Sequence, residues 1–202
     1  MTRISKNPEE RKDEIIKTAQ KLFIEKGFAE TRVSEIVKSI NVSQGVFYYY
    51  FSSKDEIIDE IIDRYIKQLI SSTVEIFQNN QLSALEKLVR MSDRQLHINM
   101  IENNNIHRIK GVDIHERILK RLILDYVPLM KRAFTENGDR EILFLMEIFV
   151  AAGNVLFDPG IFQWEKEERN ERISFLIKFM ERSLNLTDGS LSFYKRLMGY
   201  IE

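Results

Sequence analysis

Residues 41–55 read NVSQGVFYYYFSSKD, and this stretch decides how the N-terminal part of the chain is interpreted. The segment 44–50 is too short, and too polar at its start, to be a core helix. Ser43 can cap this segment, and Phe47 and Phe51 recur at helical spacing, so we expect both rings in the core. The stretch therefore predicts a short surface helix whose other side chains face outward.

The preceding sequence predicts a longer helix over 8–26. Asn7 is a favourable N-cap, Pro8 suits the first helical position, and Glu10 stands three residues after the cap. Gly27 ends the helix, because glycine readily adopts the conformation that follows a helix C-terminus. The apolar stripe of this helix consists of Ile15, Ile16, Ala19, Leu22 and Phe23.

A second short helix is predicted over 33–40, followed by a tight connection at Asn41 and Val42. Asparagine tolerates a left-handed backbone better than other non-glycine residues, so this turn can form. A capping box over 53–56 then opens a long amphipathic helix that reaches about residue 78. A bracing helix and two short helices joined by a tight turn form a helix-turn-helix arrangement. The inward residues of the short and long helices are Val33, Ile36, Val37, Ile40, Ile57, Ile58, Ile61, Ile62, Tyr65, Leu69 and Ile70.

The remaining sequence also shows helical periodicity and no convincing strand. Pro128 should kink the helix that contains it, because proline lacks an N–H group. The predicted fold class is all-α, with an N-terminal three-helix helix-turn-helix domain over 1–54 and a larger helical domain over 55–202. The predicted helices of the larger domain beyond residue 78 cover 83–101, 104–110, 113–136, 139–157, 162–185 and 189–200.

The composition limits the class of protein. The 202-residue chain has no cysteine, which excludes a disulfide, a thiolate zinc site and a cysteine nucleophile. It has no apolar run of about 18 residues that could span a membrane and no secretory signal pattern, so we expect a cytoplasmic protein. Residues 1–54 hold ten basic and seven acidic side chains, against 20 and 24 in the remainder. This weakly basic end is compatible with nucleic-acid binding.

Several side chains of the helix-turn-helix have the chemistry that reads DNA. Gln44 can form a bidentate pair with adenine, and Gly45 lets the backbone approach DNA closely. The tyrosines at 48–50 can donate to phosphates and contact thymine methyl groups. An aromatic run is more typical of a core, however, and we expect Tyr49 to pack. The candidate DNA-binding residues are Thr31, Arg32, Ser34, Ser43, Gln44, Gly45, Val46, Tyr48, Tyr49, Tyr50 and Lys54.

Together, GF at 27–28, TRVSEI at 31–36 and VSQGVFYYYFSSKD at 42–55 resemble the DNA-binding signature of the TetR/AcrR transcriptional regulators. The resemblance covers about residues 10–58. It implies a homodimeric, ligand-responsive regulator, usually a repressor. Asn41 stands where the family usually has glycine. The residues aligned with base contacts are Gln44, Gly45 and Tyr48, and those aligned with phosphate contacts are Thr31, Val46, Tyr50 and Lys54.

The larger domain carries no motif of its own, and the resemblance implies that it dimerises and encloses a ligand. Its apolar sequence favours a small hydrophobic ligand. Segment 139–157 is apolar on nearly all faces and segment 173–184 has an apolar stripe, so we expect both helices to pair with those of a partner. An ordinary monomer core is the alternative. The candidate dimer residues are Phe149, Ala152, Gly153, Leu156, Ile173, Leu176, Ile177, Met180 and Leu184. The candidate ligand residues are Tyr65, His97, Met100, His115, Tyr126, Phe144, Phe149 and Trp164.

These features favour a sequence-specific transcriptional regulator on a near-palindromic operator over two alternatives. A helical-bundle enzyme lacks support, because the sequence shows no nucleophile–base pair and no cofactor fingerprint. His97, His107 and His115 are spaced too irregularly for one helix face, so we predict no metal site. A helix-turn-helix used for protein contact or general DNA coating is the other alternative. Coating is mainly electrostatic, and the weakly basic end argues against it.

Overall fold

The computed structural model describes residues 7–101, 106–109, 111–131, 140–157 and 161–199. Every regular element in these ranges is helical, as predicted. None of the described helices combines the length and the apolar composition that a membrane span requires. The α-helices are α1 (Pro8–Lys26), α2 (Val33–Ser39), α3 (Gln44–Tyr50), α4 (Lys54–Gln78), α5 (Ala84–Ile101), α6 (Val112–Arg121), α7 (Val127–Lys131), α8 (Arg140–Leu156), α9 (Lys166–Ser183) and α10 (Tyr194–Leu197).

The chain divides into two compact units. The first comprises Met1–Tyr65 with Asn105–Ile114, and the second comprises Ile66–Asn104 with His115–Glu202. We call residues 7–65 the head and the second unit the body. The division falls within α4, after Tyr65. The domain boundary predicted between residues 54 and 55 stays a prediction.

Helix α1 begins and ends at the residues that the sequence predicts. The Asn7 side chain accepts a hydrogen bond from the Glu10 N–H at 2.8 Å, and the Glu10 carboxylate accepts one from the Asn7 N–H at 3.3 Å. This reciprocal pair satisfies N–H groups that a helix start otherwise leaves unpaired. At the other end Gly27 has a φ of 100°. The inward stripe is buried except at Leu22, which is half-buried.

The turn between α2 and α3 depends on a left-handed residue. Asn41 has a φ of 55°, as the sequence predicts. The Val42 N–H donates to the Val37 carbonyl at 3.0 Å, and the Asn41 N–H donates to the Lys38 carbonyl at 3.2 Å. This pair of hydrogen bonds is the Schellman arrangement that closes a helix C-terminus. It fixes the direction in which α3 leaves α2.

The capping box predicted over 53–56 is present in altered form. The Glu56 N–H donates to the Ser53 hydroxyl at 3.3 Å, as expected of an N-cap. The Glu56 carboxylate, however, accepts from the N–H of Ser52 at 2.6 Å and from its hydroxyl at 2.8 Å. These two hydrogen bonds, the backbone one first, hold the pKa of Glu56 below its usual value. These hydrogen bonds define where helix α4 starts.

The kink predicted at Pro128 takes the form of a π-helical turn over Leu122–Tyr126. Proline cannot donate to the preceding turn and its ring crowds the carbonyl four residues earlier. The Val127 N–H accordingly donates to the Leu122 carbonyl, one residue further back than in an α-helix. Residues 132–139, which include the end of the predicted helix over 113–136, lie outside the described residues.

Three predicted helices beyond residue 78 are shorter in the structure. The segment 104–110 contains a 3₁₀ turn, Ile106–Arg108, within its described residues. The helix predicted over 162–185 begins only at Lys166, because the Trp164 indole N–H donates to the Leu156 carbonyl at 2.7 Å and the chain there is not helical. The helix predicted over 189–200 is reduced to α10, since successive three-residue turns precede it.

Substitutions at Asn41 test the turn. Asn41→Ala should lower the free energy of unfolding by up to about 1 kcal/mol, because alanine lacks the short polar side chain with which asparagine stabilises a left-handed backbone. Asn41→Gly should leave it unchanged or slightly higher. Urea denaturation followed by circular dichroism at one protein concentration measures both. Equal stability of the two variants would contradict the role of the left-handed residue.

Candidate nucleic-acid interface

Helix α3 separates a buried face from an exposed face within seven residues. Phe47 is 0% exposed and Phe51, which follows the helix, is 2% exposed, as predicted. Tyr48 is 57% exposed and Tyr49 is 77% exposed. The expectation that Tyr49 packs is wrong, because two residues along a helix turn a side chain about 200° away from Phe47 and Phe51. Gln44 also lies on the exposed face.

Edge-to-face ring contacts hold the tyrosines. The Tyr48 ring lies 5.3 Å from that of Phe47 at an angle of 81°. The Tyr49 ring lies 4.8 Å from that of Tyr50 at 90°, and Tyr50 is half-buried. Such contacts stabilise aromatic pairs by about 0.5–1.5 kcal/mol beyond simple burial. The exposed rings of Tyr48 and Tyr49 are therefore each held in place by a neighbouring aromatic ring.

Gly45 lies in the first turn of α3 and is exposed. A Cβ added there would meet only the Ser43 hydroxyl oxygen, at an ordinary 3.7 Å. Glycine within a helix costs about 1 kcal/mol relative to alanine. No described contact within the chain therefore requires glycine at this position, and its role in a close approach to DNA stays a prediction.

The N-cap of α3 lacks a side-chain hydrogen bond. Ser43 occupies the N-cap, but its hydroxyl makes no cap hydrogen bond, contrary to the expected role. Its carbonyl accepts from the N–H of Val46 at 3.1 Å. Ser43 is exposed and Val46 is half-buried. The hydroxyl of Ser43 thus remains a candidate DNA contact.

Thr31 and Lys54 build the loop between α1 and α2. Thr31 is fully buried, and its hydroxyl donates to the Gly27 carbonyl at 2.8 Å. The Lys54 ammonium donates to the carbonyls of Phe28 and Thr31, each at 2.7 Å, and to that of Ala29 at 3.3 Å. These bonds use all three hydrogens of the ammonium group. In this structure the Thr31 hydroxyl is buried and the Lys54 ammonium is bonded within the chain, so the phosphate contacts of both stay predictions.

The start of α2 presents the two candidates that follow Thr31 in the sequence. Arg32 and Ser34 are both exposed at the surface of the head. The Arg32 N–H donates to the Glu35 carboxylate at 2.9 Å, and Lys26 forms an ion pair with the same carboxylate. Hydrogen bonding from Lys26 first, and from the Arg32 backbone second, lowers the pKa of Glu35. These contacts connect the N-terminal end of α2 with Lys26 at the end of α1.

Ion pairs also connect α1 with the first turns of α4. The Asp13 carboxylate pairs with Lys17 at 2.8 Å and with Arg64, which in turn pairs with Glu60 at 3.0 Å. Hydrogen bonds from Lys17 first, and then from Arg64, lower the pKa of Asp13. Lys12 lies 3.6 Å from Glu60. Partly exposed pairs of this kind contribute little singly, so they fix the register of the helices more than their stability.

The candidate ligand residues lie in different environments. Tyr65, His115, Tyr126 and Phe149 are buried. The ring of Tyr126 contacts that of Phe77 at 6.4 Å, and the ring of Phe149 contacts that of Tyr194 at 4.9 Å. The ring contacts seen for these two candidates are therefore with other aromatic residues.

Three other ligand candidates do not have the predicted setting. His97 and Phe144 are exposed, which corrects their placement in a pocket of one chain. Trp164 lies near the end of α8, where its indole bonds the Leu156 carbonyl and the Arg172 guanidinium stacks 3.9 Å over its ring. The side chain of Met100 lies outside the described residues. Within the described ranges, no three His, Asp or Glu side chains converge on a position that could hold a metal ion.

Most of the predicted dimer residues are buried within their own chain. Ala152, Gly153 and Leu184 are half-buried, and Leu156 is exposed. The buried ones are Phe149, Ile173, Leu176, Ile177 and Met180. At Gly153 an added Cβ would lie 3.4 Å from the Met198 Cε, an ordinary contact, so packing within the chain does not require glycine there. The buried side chains form the core between the helices and cannot meet a partner, which corrects their assignment.

A different apolar face of the same two helices is exposed. We call Phe144 and Ile148 on α8, with Phe175 and Phe179 on α9, the outer aromatic face. Each pair is four residues apart and therefore shares one side of its helix. Phe175 is 73% exposed. The sequence carried this signal, because α9 has two apolar stripes, but sequence alone did not show which stripe faces inward.

Comparison with known proteins agrees with this geometry. Residues 15–61 match the family described as bacterial regulatory proteins, tetR family. The transcriptional regulator YerO of Bacillus subtilis, described as uncharacterized and HTH-type, is 42% identical over 57 residues, which cover 28% of this chain and 20% of YerO. YhgD of the same organism, described in the same terms, is 25% identical over 172 residues, covering 78% of this chain and 86% of YhgD.

The fold match extends over nearly the whole chain. The crystal structure of the MbdR regulator from Azoarcus sp. CIB has a TM-score of 0.55 and 20% identity, covering 95% of this chain and 99% of that one. These matches show that residues 15–61 are similar to the DNA-binding segment of the tetR family and that the fold of the chain resembles that of MbdR. The first relatives are matched over only about a fifth of their length, so the activity of this chain requires a separate argument.

Gly45 offers a test that separates folding from binding. Gly45→Ala should raise the free energy of unfolding by up to about 1 kcal/mol, because alanine favours the helix. It should also weaken binding to the preferred DNA roughly tenfold or more, a loss of about 1.4 kcal/mol or more, as the added methyl group keeps the backbone from the DNA. Urea denaturation and fluorescence anisotropy measure the two effects. Unchanged DNA affinity would refute a close backbone approach.

Proposed function

We propose that the chain is a ligand-responsive transcriptional repressor that binds a near-palindromic operator as a homodimer. The observation that carries this proposal is the presentation of Gln44, Tyr48 and Tyr49 on one exposed face of α3, above the buried Phe47 and Phe51. This face lies within the segment that matches the TetR family. The family and the relatives described above are regulators and not enzymes.

The exposed face of α3 has the chemistry of a major-groove reader. Gln44 presents a donor and an acceptor that suit the N6 and N7 positions of adenine. Tyr48 and Tyr49 can contact thymine methyl groups with their rings and phosphates with their hydroxyls. The missing side chain of Gly45 brings the backbone close to the bases. Discrimination of about 1–3 kcal/mol per bidentate contact follows from such pairing.

The outer aromatic face supports dimerisation. Exposed apolar side chains clustered on adjacent helices mark an interaction surface more often than an ordinary surface. A two-fold dimer needs one patch that is complementary to itself. Glu141 on α8 and Lys178 and Arg182 on α9 carry opposite charges on exposed positions, which favours α8 of one subunit against α9 of its partner. Such a dimer would place two α3 helices in half-sites about 34 Å apart, or a multiple of that distance.

A ligand would act by favouring a body conformation that separates the two heads differently. Helix α4 contributes residues to both units of the chain, so it is the continuous element through which such a change could pass. Coupling energies in allosteric proteins are typically about 1–3 kcal/mol. A ligand that bound both conformations equally would have no effect. The buried body residues His115, Tyr126 and Phe149 remain candidates for contacting a small hydrophobic ligand.

Fluorescence anisotropy with DNA from upstream of the protein's own gene tests the DNA-binding role. We expect the wild type to prefer this duplex over a scrambled duplex of equal length by at least about 10³-fold at about 150 mM salt. Gln44→Ala should reduce binding to the upstream duplex and not to the scrambled one. A helix-turn-helix that coats DNA would show no preference. Absence of binding to any genomic fragment by the folded protein would refute the proposal.

Substitutions in the outer aromatic face test the dimer. Phe175→Ser with Phe179→Ser should shift the mass in sedimentation from twice the subunit mass to the 24.0 kDa of one chain, because the interface is deprived of its largest apolar side chains. Leu124→Ser is the matched control, since Leu124 is exposed but lies outside this face. A double variant that keeps the dimer mass would place the interface elsewhere.

A further inference from the structure

Most positive charges of the head are already engaged with other groups of the head. Residues 7–65, all of which the structure describes, contain nine Lys and Arg side chains, and seven of these make an ion pair or a side-chain hydrogen bond. The engaged cations are Arg11 with Glu14, Lys12 with Glu60, Lys17 with Asp13, Lys21 with Glu25, Lys26 with Glu35, Lys54 with three carbonyl groups, and Arg64 with Asp13 and Glu60.

The other two cations in this range, Arg32 and Lys38, lie at the two ends of α2. Both are exposed, Arg32 at the N-cap of α2 and Lys38 near its end. Arg32 interacts electrostatically with Glu35, a carboxylate already paired with Lys26. Lys38 is therefore the least neutralised cation of the head. The sequence did not single it out, because it lies outside the motif, and only the ion pairs of its neighbours distinguish it.

Lys38 also lies on the correct side of α2. It stands four residues after Ser34 and three before Asn41, and none of the three is buried. Ser34 and Lys38, four residues apart within α2, therefore lie on one helix face, away from the buried Ile36. In a helix-turn-helix the first helix crosses the DNA backbone while the second enters the groove. Arg32 and Lys38 are six residues apart, or about 9 Å along the helix, enough to reach separate phosphates.

We propose that Lys38 binds a backbone phosphate of DNA at the opposite end of α2 from Arg32. This inference rests on the proposed DNA-binding function. An ion-paired lysine must give up its carboxylate to bind a phosphate, whereas Lys38 gives up only water and exchanges directly with counterions on the DNA. Phosphate contacts position a protein without reading sequence. Lys38 therefore contributes affinity, and the face of α3 contributes the choice of site.

The salt dependence of binding tests this assignment directly. Anisotropy titrations between about 50 and 200 mM salt, with the upstream duplex and with a scrambled duplex, give the slope of log K against log salt for each variant. Lys38→Ala should make the slope shallower by about 0.9 for each phosphate that is no longer neutralised, or about 1.8 for a dimer. Over this fourfold rise in salt, the affinity of the variant should fall about 12-fold less than that of the wild type. Lys38→Arg should restore the slope.

Lys21→Ala is the matched control. Lys21 is likewise an exposed lysine of the head, paired with Glu25 at 3.9 Å, and its removal changes the net charge by the same amount. The slope of log K against log salt for Lys21→Ala should equal that of the wild type. If Lys38→Ala keeps the wild-type slope, or if Lys21→Ala makes the slope shallower by the same amount, Lys38 is not a phosphate contact. DNA binding by the wild type would then depend on other groups. If the wild type binds neither duplex, the proposed function itself fails.

Discussion

The burial of Phe47 and Phe51 is the constraint on which the DNA-binding surface depends. A seven-residue helix cannot hold its own orientation in water, so α3 is positioned by the two rings that it anchors in the head. Once both rings point inward, the helical repeat turns Gln44, Tyr48 and Tyr49 outward. The core thus determines where the DNA-reading surface lies. The side chains on this surface can change while its position stays the same.

Polar groups define both ends of this arrangement. The left-handed Asn41 and its two backbone hydrogen bonds close α2 and direct the chain into α3. At the other side, the Lys54 ammonium joins the start of α4 to the carbonyls that follow α1. The head therefore uses most of its positive charge within its own structure. The other two cations of the head, Arg32 and Lys38, lie at the two ends of α2. So little available charge favours the proposed selection of a site over general coating of DNA.

Sequence predicts best where partners are close along the chain. The α1 cap at Asn7 and Glu10 and the turn at Asn41 depend on residues within five positions, and both are confirmed. The sequence assigns Lys54 to phosphate because its acceptors lie 23 and 26 residues away, at Thr31 and Phe28, and no local pattern reveals them. The prediction that Ile173 and Ile177 on α9 contact a partner is wrong for a related reason. Its two apolar stripes are equivalent in sequence, and only packing decides that Ile173 and Ile177 face inward while Phe175 and Phe179 face outward.

An NMR titration of the ¹⁵N-labelled protein with the upstream duplex tests most directly whether DNA meets the exposed faces of α2 and α3. We expect the amide signals of residues 41–50, and of the exposed positions of α2, to change most as DNA is added. Signals from α8 and α9 should change little. Large changes confined to the body, with residues 44–49 unaffected, would contradict the account.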